Sequence, residues 1–327
     1  MNYALRRLGF FVVTLWACLT INFVLPRLMP GNPAEAMMTR FKGRLNGQAL
    51  KALEIAFGVN SNESAIRQYF TYMANTLTGN FGTSITFFPD KVSQVVFAAL
   101  PWTLALVGIT TVLAFLLGTL VGIVAAWRRG SALDSALPPI FVIISAFPYF
   151  FLALMALLLF SVTLGWFPQG FGYSNTDTAG WSWHFIGDVL DHALLPALVI
   201  LVTSIGGWVL TMRNNMISTL SEDYVRMARA KGLSALRIMF SYAGRNAVLP
   251  NLTGFAMSLG FVVSGAILVE YVFSYPGVGY MLLQAVENED YALMQTLFLF
   301  ITVCVLSAVL LMDFVTILLD PRTRSQS

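Results

Sequence analysis

Six stretches of this chain are each long and apolar enough to cross a lipid bilayer, and no other feature restricts its fold so severely. They run roughly over Gly9–Leu28, Pro101–Trp127, Leu137–Leu164, Ala193–Met212, Leu252–Phe273 and Ala292–Leu319. A helix needs ~20 mostly apolar residues to span the hydrocarbon. The expected fold is an all-α membrane protein with six transmembrane helices. Composition agrees, with 57% of residues apolar and 11% charged, against about 25% charged in a soluble domain. Cys18 and Cys304 fall within apolar spans, where a thiol packs as a hydrophobe, and no disulfide between them is expected. The apolar run after Arg6 and Arg7 is too long for a removed signal sequence and lacks a small-residue cleavage site. It is expected to remain as the first span.

Charge placement sets the expected orientation, because short loops rich in Lys and Arg stay in the cytosol. Arg6 and Arg7 precede the first span, Arg128 and Arg129 follow the second, and Arg322 and Arg324 follow the sixth. Arg213, Arg226, Arg229, Lys231, Arg237 and Arg245 follow the fourth. The short loops on the other side, about 164–192 and 274–291, contain no Lys or Arg and carry Asp177, Asp188, Asp191, Glu287, Glu289 and Asp290 instead. Both termini are therefore expected in the cytosol. The chain divides into a cytosolic start and first span (1–28), an external segment (29–100), a five-helix core (101–319) with a cytosolic loop at 213–250, and a cytosolic tail (320–327).

Long loops are largely exempt from the charge rule, so the 29–100 segment is placed outside despite its basic residues. Pro30 and Pro33 forbid regular helix at its start. One helical stretch is expected from about Gly47 to Phe57. A second, from about Glu63 to Leu77, has Ile66, Tyr69, Phe70, Met73 and Leu77 on one face and is ended by Gly79-Asn80-Phe81-Gly82. Stacked on the outer ends of the spans, these faces would build a small external cap. That cap either packs only or also receives solute.

The segment from Asp223 to Pro250 is polar, basic and Ala-rich, and lies between two spans. Its first part has helical spacing, with Val225, Ala228 and Leu233 on one side and Arg226, Arg229 and Lys231 in water. Gly232 then permits a sharp turn or a close backbone approach by another protein. A compact helix–Gly element of this kind suits docking of a soluble partner.

No enzymatic constellation is present. The chain has no GxxxxGK[ST] loop to cradle a nucleotide, no GxSxG, and two histidines only, so energy from ATP would have to come from another subunit. His184, Asp188, Asp191 and His192 share helical spacing and form the one candidate for a metal test; an acidic loop leading into the fourth span is the other reading. Asp313 in the sixth span faces the bundle interior, a partner or the inner basic loops, or else has a transport role. Glu270, at the outer end of the fifth span, lines an exit path or sits at the interface. Pro148 should break or kink the third span, either bordering a pathway or as a packing kink.

Taken in order, several stretches carry a family resemblance. Met29-Pro30-Gly31-Asn32-Pro33-Ala34 is similar to LPGDPA, and Gly79-Asn80-Phe81-Gly82 to GDLG. Leu100-Pro101-Trp102-Thr103-Leu104 and Asp223–Leu233, a form of the EAA motif, follow. Val272–Gly279 is similar to FSWPGLG, and Asp290-Tyr291 and Leu319-Asp320-Pro321-Arg322 complete the series. The chain thus resembles B-type permease subunits of ABC importers of the dipeptide, oligopeptide and nickel class. It departs from the general EAA pattern at Arg226 and Met227, and in Pro250 standing eighteen residues after Gly232. Both departures are typical of the peptide class, but no salt bridge can be argued from the missing Glu.

The resemblance implies the type I importer permease fold and a non-catalytic subunit forming half of a translocation pathway. Implied partners are a second, non-identical permease, two ATP-binding subunits, an external solute-binding protein and membrane lipid, with no nucleic acid. This chain would bind no cofactor; ATP and Mg would be held by the ATPases. Tyr224, Val225, Ala228, Arg229, Lys231, Gly232 and Leu233 become the expected coupling residues, and Pro148 and Glu270 the pathway candidates. The setting would be a bacterial or archaeal inner membrane. Di- or oligopeptides are the expected cargo, with oligosaccharides or nickel as alternatives. Aromatics at Trp166, Phe167, Phe171, Tyr173, Trp181 and Trp183 stack on sugars or anchor the spans. The rival class is a self-sufficient secondary transporter or channel, which would need coupling charges at mid-membrane and often an inverted repeat. Neither is evident, and co-purifying ATPases would separate the two.

Overall fold

The computed structural model describes residues 3–28, 64–174, 180, 182–264 and 266–319. The expected helix Gly47–Phe57, the Pro30–Pro33 segment, the tail and the side chain of Asp313 lie outside the described residues. The helices are α1 (Tyr3–Leu28), α2 (Ala65–Thr78), α3 (Val92–Thr103), α4 (Ile109–Trp127), α5 (Ala132–Ala146), α6 (Tyr149–Ala156) and α7 (Trp183–Leu220). They continue with α8 (Asp223–Ala230), α9 (Ala235–Arg237), α10 (Arg245–Phe261), α11 (Ile267–Val272), α12 (Val278–Glu287) and α13 (Tyr291–Leu319). Wide π turns at Leu104–Gly108, Leu157–Thr163 and Ile238–Gly244 join α3 to α4, extend α6 and join α9 to α10.

Among the described residues, five runs are long and apolar enough to cross a membrane: Leu5–Leu28, Val92–Trp127, Trp183–Leu220, Ala235–Val272 and Tyr291–Leu311. The sixth is a broken pair, Asp134–Ala146 and Tyr149–Thr163, bent by 89°. The break sits at Phe147-Pro148, where Phe147 is extended (φ −87°, ψ 131°). This is what the residue before a proline prefers, since its α conformation clashes with the ring. The helices also run past the apolar windows. Trp183–Leu220 starts before Ala193 and ends beyond Met212, because a helix keeps satisfying its own backbone after it leaves the hydrocarbon.

One compact unit holds residues 1–103, 263–267 and 276–327. Its core is Val92, Val95, Val96 and Ala99 of α3 against Val278, Leu282 and Ala285 of α12 and Leu293, Met294 and Leu297 of α13. The buried Thr103 hydroxyl accepts the Val278 N–H at 2.8 Å, satisfying an orphan donor at the start of α12. Asp290 is fully buried and caps α13 by accepting the Leu293 N–H at 3.1 Å. Its other oxygen accepts from the Ser84 hydroxyl at 2.5 Å and the Thr86 N–H at 2.9 Å, tying the 83–91 loop to the α12–α13 turn.

In the same unit α2 packs on α1 through Tyr69, at one edge of the expected face, and Tyr72, which lies off it. Tyr69 shares a 2.9 Å hydrogen bond with Thr20, and Asn22 donates to the Tyr72 hydroxyl at 3.2 Å. Both tyrosine rings lie against Phe23. Ile66, Phe70 and Leu77, expected to stack on the spans, are exposed. Polar groups on α1 decide the matter: the tyrosines offer an apolar body and a hydroxyl that reaches them, which Ile, Phe and Leu cannot.

The second unit holds residues 104–262 and 268–275. Here α4 and α7 approach at two glycines one turn apart. A Cβ at Gly118 would stand 2.6 Å from the Trp208 Cβ, and one at Gly122 would stand 2.7 Å from the Val209 carbonyl oxygen. Small residues at this spacing let membrane helices meet backbone to backbone. The Trp208 ring stands edge-on to Phe115, which stacks on Phe255 of α10 at 4.2 Å. At the first turn of α5, Asp134 pairs with Arg213 of α7 and accepts the Gly130 N–H at 3.0 Å.

Candidate functional site

The short helix α8 occupies the polar segment between α7 and α9. Asp223 stands in its first turn and Arg229 in its last, each charge favourable to the helix dipole at its end. Its end is a complete Schellman cap. Gly232 has φ +74° and donates to the Arg229 carbonyl at 2.9 Å, while the Leu233 N–H reaches the Ala228 carbonyl at 3.3 Å. Glycine takes this left-handed geometry without a Cβ penalty. The structure thus shows the sharp turn, and a Cβ at Gly232 would meet nothing within 4 Å.

Helix α8 divides the expected coupling residues into two groups. Val225 and Ala228 are buried and Leu233 is half-buried. All three pack on Ile123 and Ala126 of α4, Met212 and Met216 of α7, and Ile238, Met239, Ala243 and Ala247 beyond. Val225 and Ala228 therefore anchor the element and are not available to a docking partner. Tyr224, Arg229, Lys231 and Gly232 are exposed. The Tyr224 hydroxyl accepts from the Asn246 amide at 2.9 Å, and the Arg229 guanidinium lies 5.7 Å from the Trp127 ring centroid. The exposed Arg226–Asp223 pair at 3.5 Å contributes little in water.

Sequence reasoning missed three exposed apolar side chains in this basic segment: Met227, Leu236 and Phe240. Leu236 and Phe240 stand four apart across α9 and the π turn, so they share a face. Their signal was the presence of large apolar residues off the Val225–Ala228 stripe. Asn246 and Trp127, which hold Tyr224 and Arg229, were also missed, since both lie far from them in sequence.

The pathway candidates occupy different surroundings. Pro148 is exposed at the 89° break. Glu270 is fully buried in α11, and its carbonyl accepts the Tyr275 N–H at 2.8 Å. Burial, then the nearby Glu270, push the Tyr275 phenol above its ordinary range. Against this turn lies the 170–171 loop: Phe171 N–H donates to the Phe273 carbonyl at 2.8 Å, and a Cβ at Gly170 would stand 2.6 Å from that oxygen.

The His184–His192 spacing gives a structural result. The Asp188 carboxylate accepts the Ser174 N–H at 2.6 Å and the Ser174 hydroxyl at 2.7 Å, and His192 Nδ1 lies 2.8 Å from the Asp188 carbonyl. Among the described residues no three His, Cys, Asp or Glu groups converge as a metal site.

A broken third span and a short, capped basic helix between the fourth and fifth apolar helices describe a multi-span helical membrane protein. Residues 118–325 match the family model of the binding-protein-dependent transport system inner membrane component. The chain belongs to that family, and its fold is that of the type I ABC importer permeases. It is 33% identical over 342 residues to the di/tripeptide transport system permease protein DppB of Pseudomonas aeruginosa (strain UCBPP-PA14), covering 100% of this chain and 99% of the relative. It is 31% identical over 320 residues to the oligopeptide transport system permease protein AppB of Bacillus subtilis (strain 168), covering 98% of each. The dipeptide transport system permease protein DppB of Lactococcus lactis subsp. cremoris (strain MG1363) is 28% identical over 324 residues, covering 99% of each.

Proposed function

We propose that this chain forms half of the translocation pathway of an ATP-driven importer of di- or oligopeptides. The observation that carries this is the full-length match to relatives named as di/tripeptide, oligopeptide and dipeptide permeases. In this reading a second, non-identical permease completes the pathway, two ATP-binding subunits drive it, and an external solute-binding protein delivers the peptide. The chain itself catalyses nothing and holds no cofactor; ATP and Mg stay with the ATPases. Both termini and the 213–250 region are cytosolic, and the 29–100 segment is external.

The exposed side of α8 is the coupling surface. Tyr224, Met227, Arg229, Lys231 and Gly232, with Leu236 and Phe240 beyond, combine aromatic, Met and Arg side chains of the kind enriched in interface cores. Val225, Ala228 and Leu233 carry its displacement into the bundle. Pro148 and Glu270 are assigned to the pathway, Pro148 because its break frees backbone groups and Glu270 because buried ionisable groups in membrane helices mark function. Peptide must favour one transporter state for coupling, since a ligand shifts an equilibrium only by differential affinity.

The test is uptake of a labelled dipeptide by proteoliposomes. The full set of subunits with the binding protein should accumulate it on ATP addition, and this chain alone should bind no ATP and take up nothing. Uptake by the chain alone would overturn the reading. Thr178→Cys and Asn288→Cys should react with an impermeant thiol reagent from outside intact cells, and Ser234→Cys only after the membrane is opened. External labelling of Ser234→Cys would overturn the orientation.

A further inference from the structure

We infer that α2 is an interfacial helix whose Ile66–Phe70–Leu77 face is buried in the lipid leaflet at which α1 ends. This exposed face has the wrong chemistry for water: Ile66 is 71% exposed, Phe70 66% and Leu77 82%. At offsets of four and eleven residues the three share one side of α2. The edge toward α1 carries Gln68, Tyr69 and Tyr72, and the remaining side carries Thr71, Asn75 and Thr78. Arg67 is the one charged residue in α2.

The depth at which α2 meets α1 selects the occupant. Its partners there are Thr20, Asn22, Phe23 and Arg27, all inside the apolar span Leu5–Leu28. Phe23, in ring contact with both tyrosines, lies five residues from the span's end at Leu28, about 7.5 Å along the helix. Amphipathic helices of the membrane interface bury their apolar face about 5–10 Å into the headgroup and acyl boundary. Ile21, Val24, Leu25 and Leu28 of α1 are exposed as well, so the packed pair presents a shared apolar surface where lipid already borders the span. Tyr69 and Tyr72, with apolar bodies and polar tips, suit that level. The inference needs α1 to be a span and is independent of the cargo.

The experiment uses the full-length protein, with Cys18→Ala and Cys304→Ala, in phosphatidylethanolamine–phosphatidylglycerol vesicles. Single nitroxide labels are placed at Ile66→Cys, Phe70→Cys and Leu77→Cys, with Thr71→Cys and Asn75→Cys for the polar side. Collision with oxygen, which concentrates in lipid, is compared with collision with a water-soluble nickel chelate. The first three labels should favour oxygen several-fold and the last two the chelate. Chelate-dominated collision at all three apolar positions would overturn the inference. Chelate access there that falls only when the solute-binding protein is added would assign the face to that protein, and the lipid assignment would fail.

Discussion

The Ser84 hydroxyl donates to the buried carboxylate of Asp290 across 2.5 Å, joining residues 206 positions apart in the chain. The same carboxylate serves the Thr86 and Leu293 N–H groups, so one side chain both starts α13 and fixes the preceding loop.

Replacing Asp290 by Ala leaves three donors without their acceptor in a buried setting. Each hydrogen bond to a charged group contributes about 1.5–3 kcal/mol, and the losses are not additive. Asp290→Ala should lower stability by about 2–4 kcal/mol and Ser84→Ala by about 1–3. Asp290→Asn, which keeps an acceptor oxygen, should lie between Asp290→Ala and the native protein. Unfolding midpoints of the protein in nanodiscs read the series; an Asp290→Ala midpoint equal to the native one would refute it.

Gly118 and Gly122 leave no room for a side chain. A Cβ at Gly122 meets the Val209 carbonyl at 2.7 Å and the Met212 Cβ at 2.8 Å, neither a flexible tip, so α4 and α7 would have to separate. Gly122→Val should cost about 1–3 kcal/mol, as overpacking does. Gly207→Ala, where a Cβ meets nothing within 4 Å, should be neutral or mildly stabilising. Equal thermal midpoints for Gly122→Val and Gly207→Ala would show that α4 and α7 do not meet as described.

Two neighbouring substitutions on α8 should separate folding from docking. Ala228 is 3% exposed and Met227 is 59% exposed. An uncompensated buried charge is costly, so Ala228→Asp should lower the thermal midpoint of the chain itself. Met227→Asp should leave that midpoint unchanged while weakening association with the ATPases at least several-fold. The idea fails if Met227→Asp binds them normally.

Gly232 isolates backbone strain from crowding, because its φ is +74° and the space around it is open. Gly232→Val should cost about 1–3 kcal/mol in local strain and reduce peptide-stimulated ATP hydrolysis in the full complex. Gly232→Asn, which tolerates the left-handed region, should retain most of it. Identical activity in the two variants would remove the cap from the account.

Much of this was legible in the chain. Apolar length gave the spans, Pro148 gave the break in the third, and the Val225–Ala228–Leu233 spacing with Gly232 gave α8 and its end. Other features need distant partners to become visible. The apolar spacing of α2 names a stripe that includes Tyr69, but Thr20, Asn22 and Phe23 of α1 determine that Tyr69 and the off-stripe Tyr72 face inward while Ile66, Phe70 and Leu77 do not. Asp290 reads as one more acid in an outer loop until Ser84 and Thr86 close on it. Arg213 reads as a loop cation until α7 continues through it and brings it to Asp134. Gly118 and Gly122 are ordinary in an apolar run until the course of α7 is known.

Helix α8 runs only from Asp223 to Ala230, about 12 Å at 1.5 Å per residue, and it has little slack. Val225 and Ala228 seat it on the ends of α4 and α7, Asn246 holds Tyr224, and the Leu233 N–H closes its far end on the Ala228 carbonyl. A load on its outer surface would therefore not be absorbed by stretching a loop. As the proposed coupling surface, the element would act as a strut, and a tilt of its exposed side should appear at Met212, Met216 and Ile123, on which it is seated.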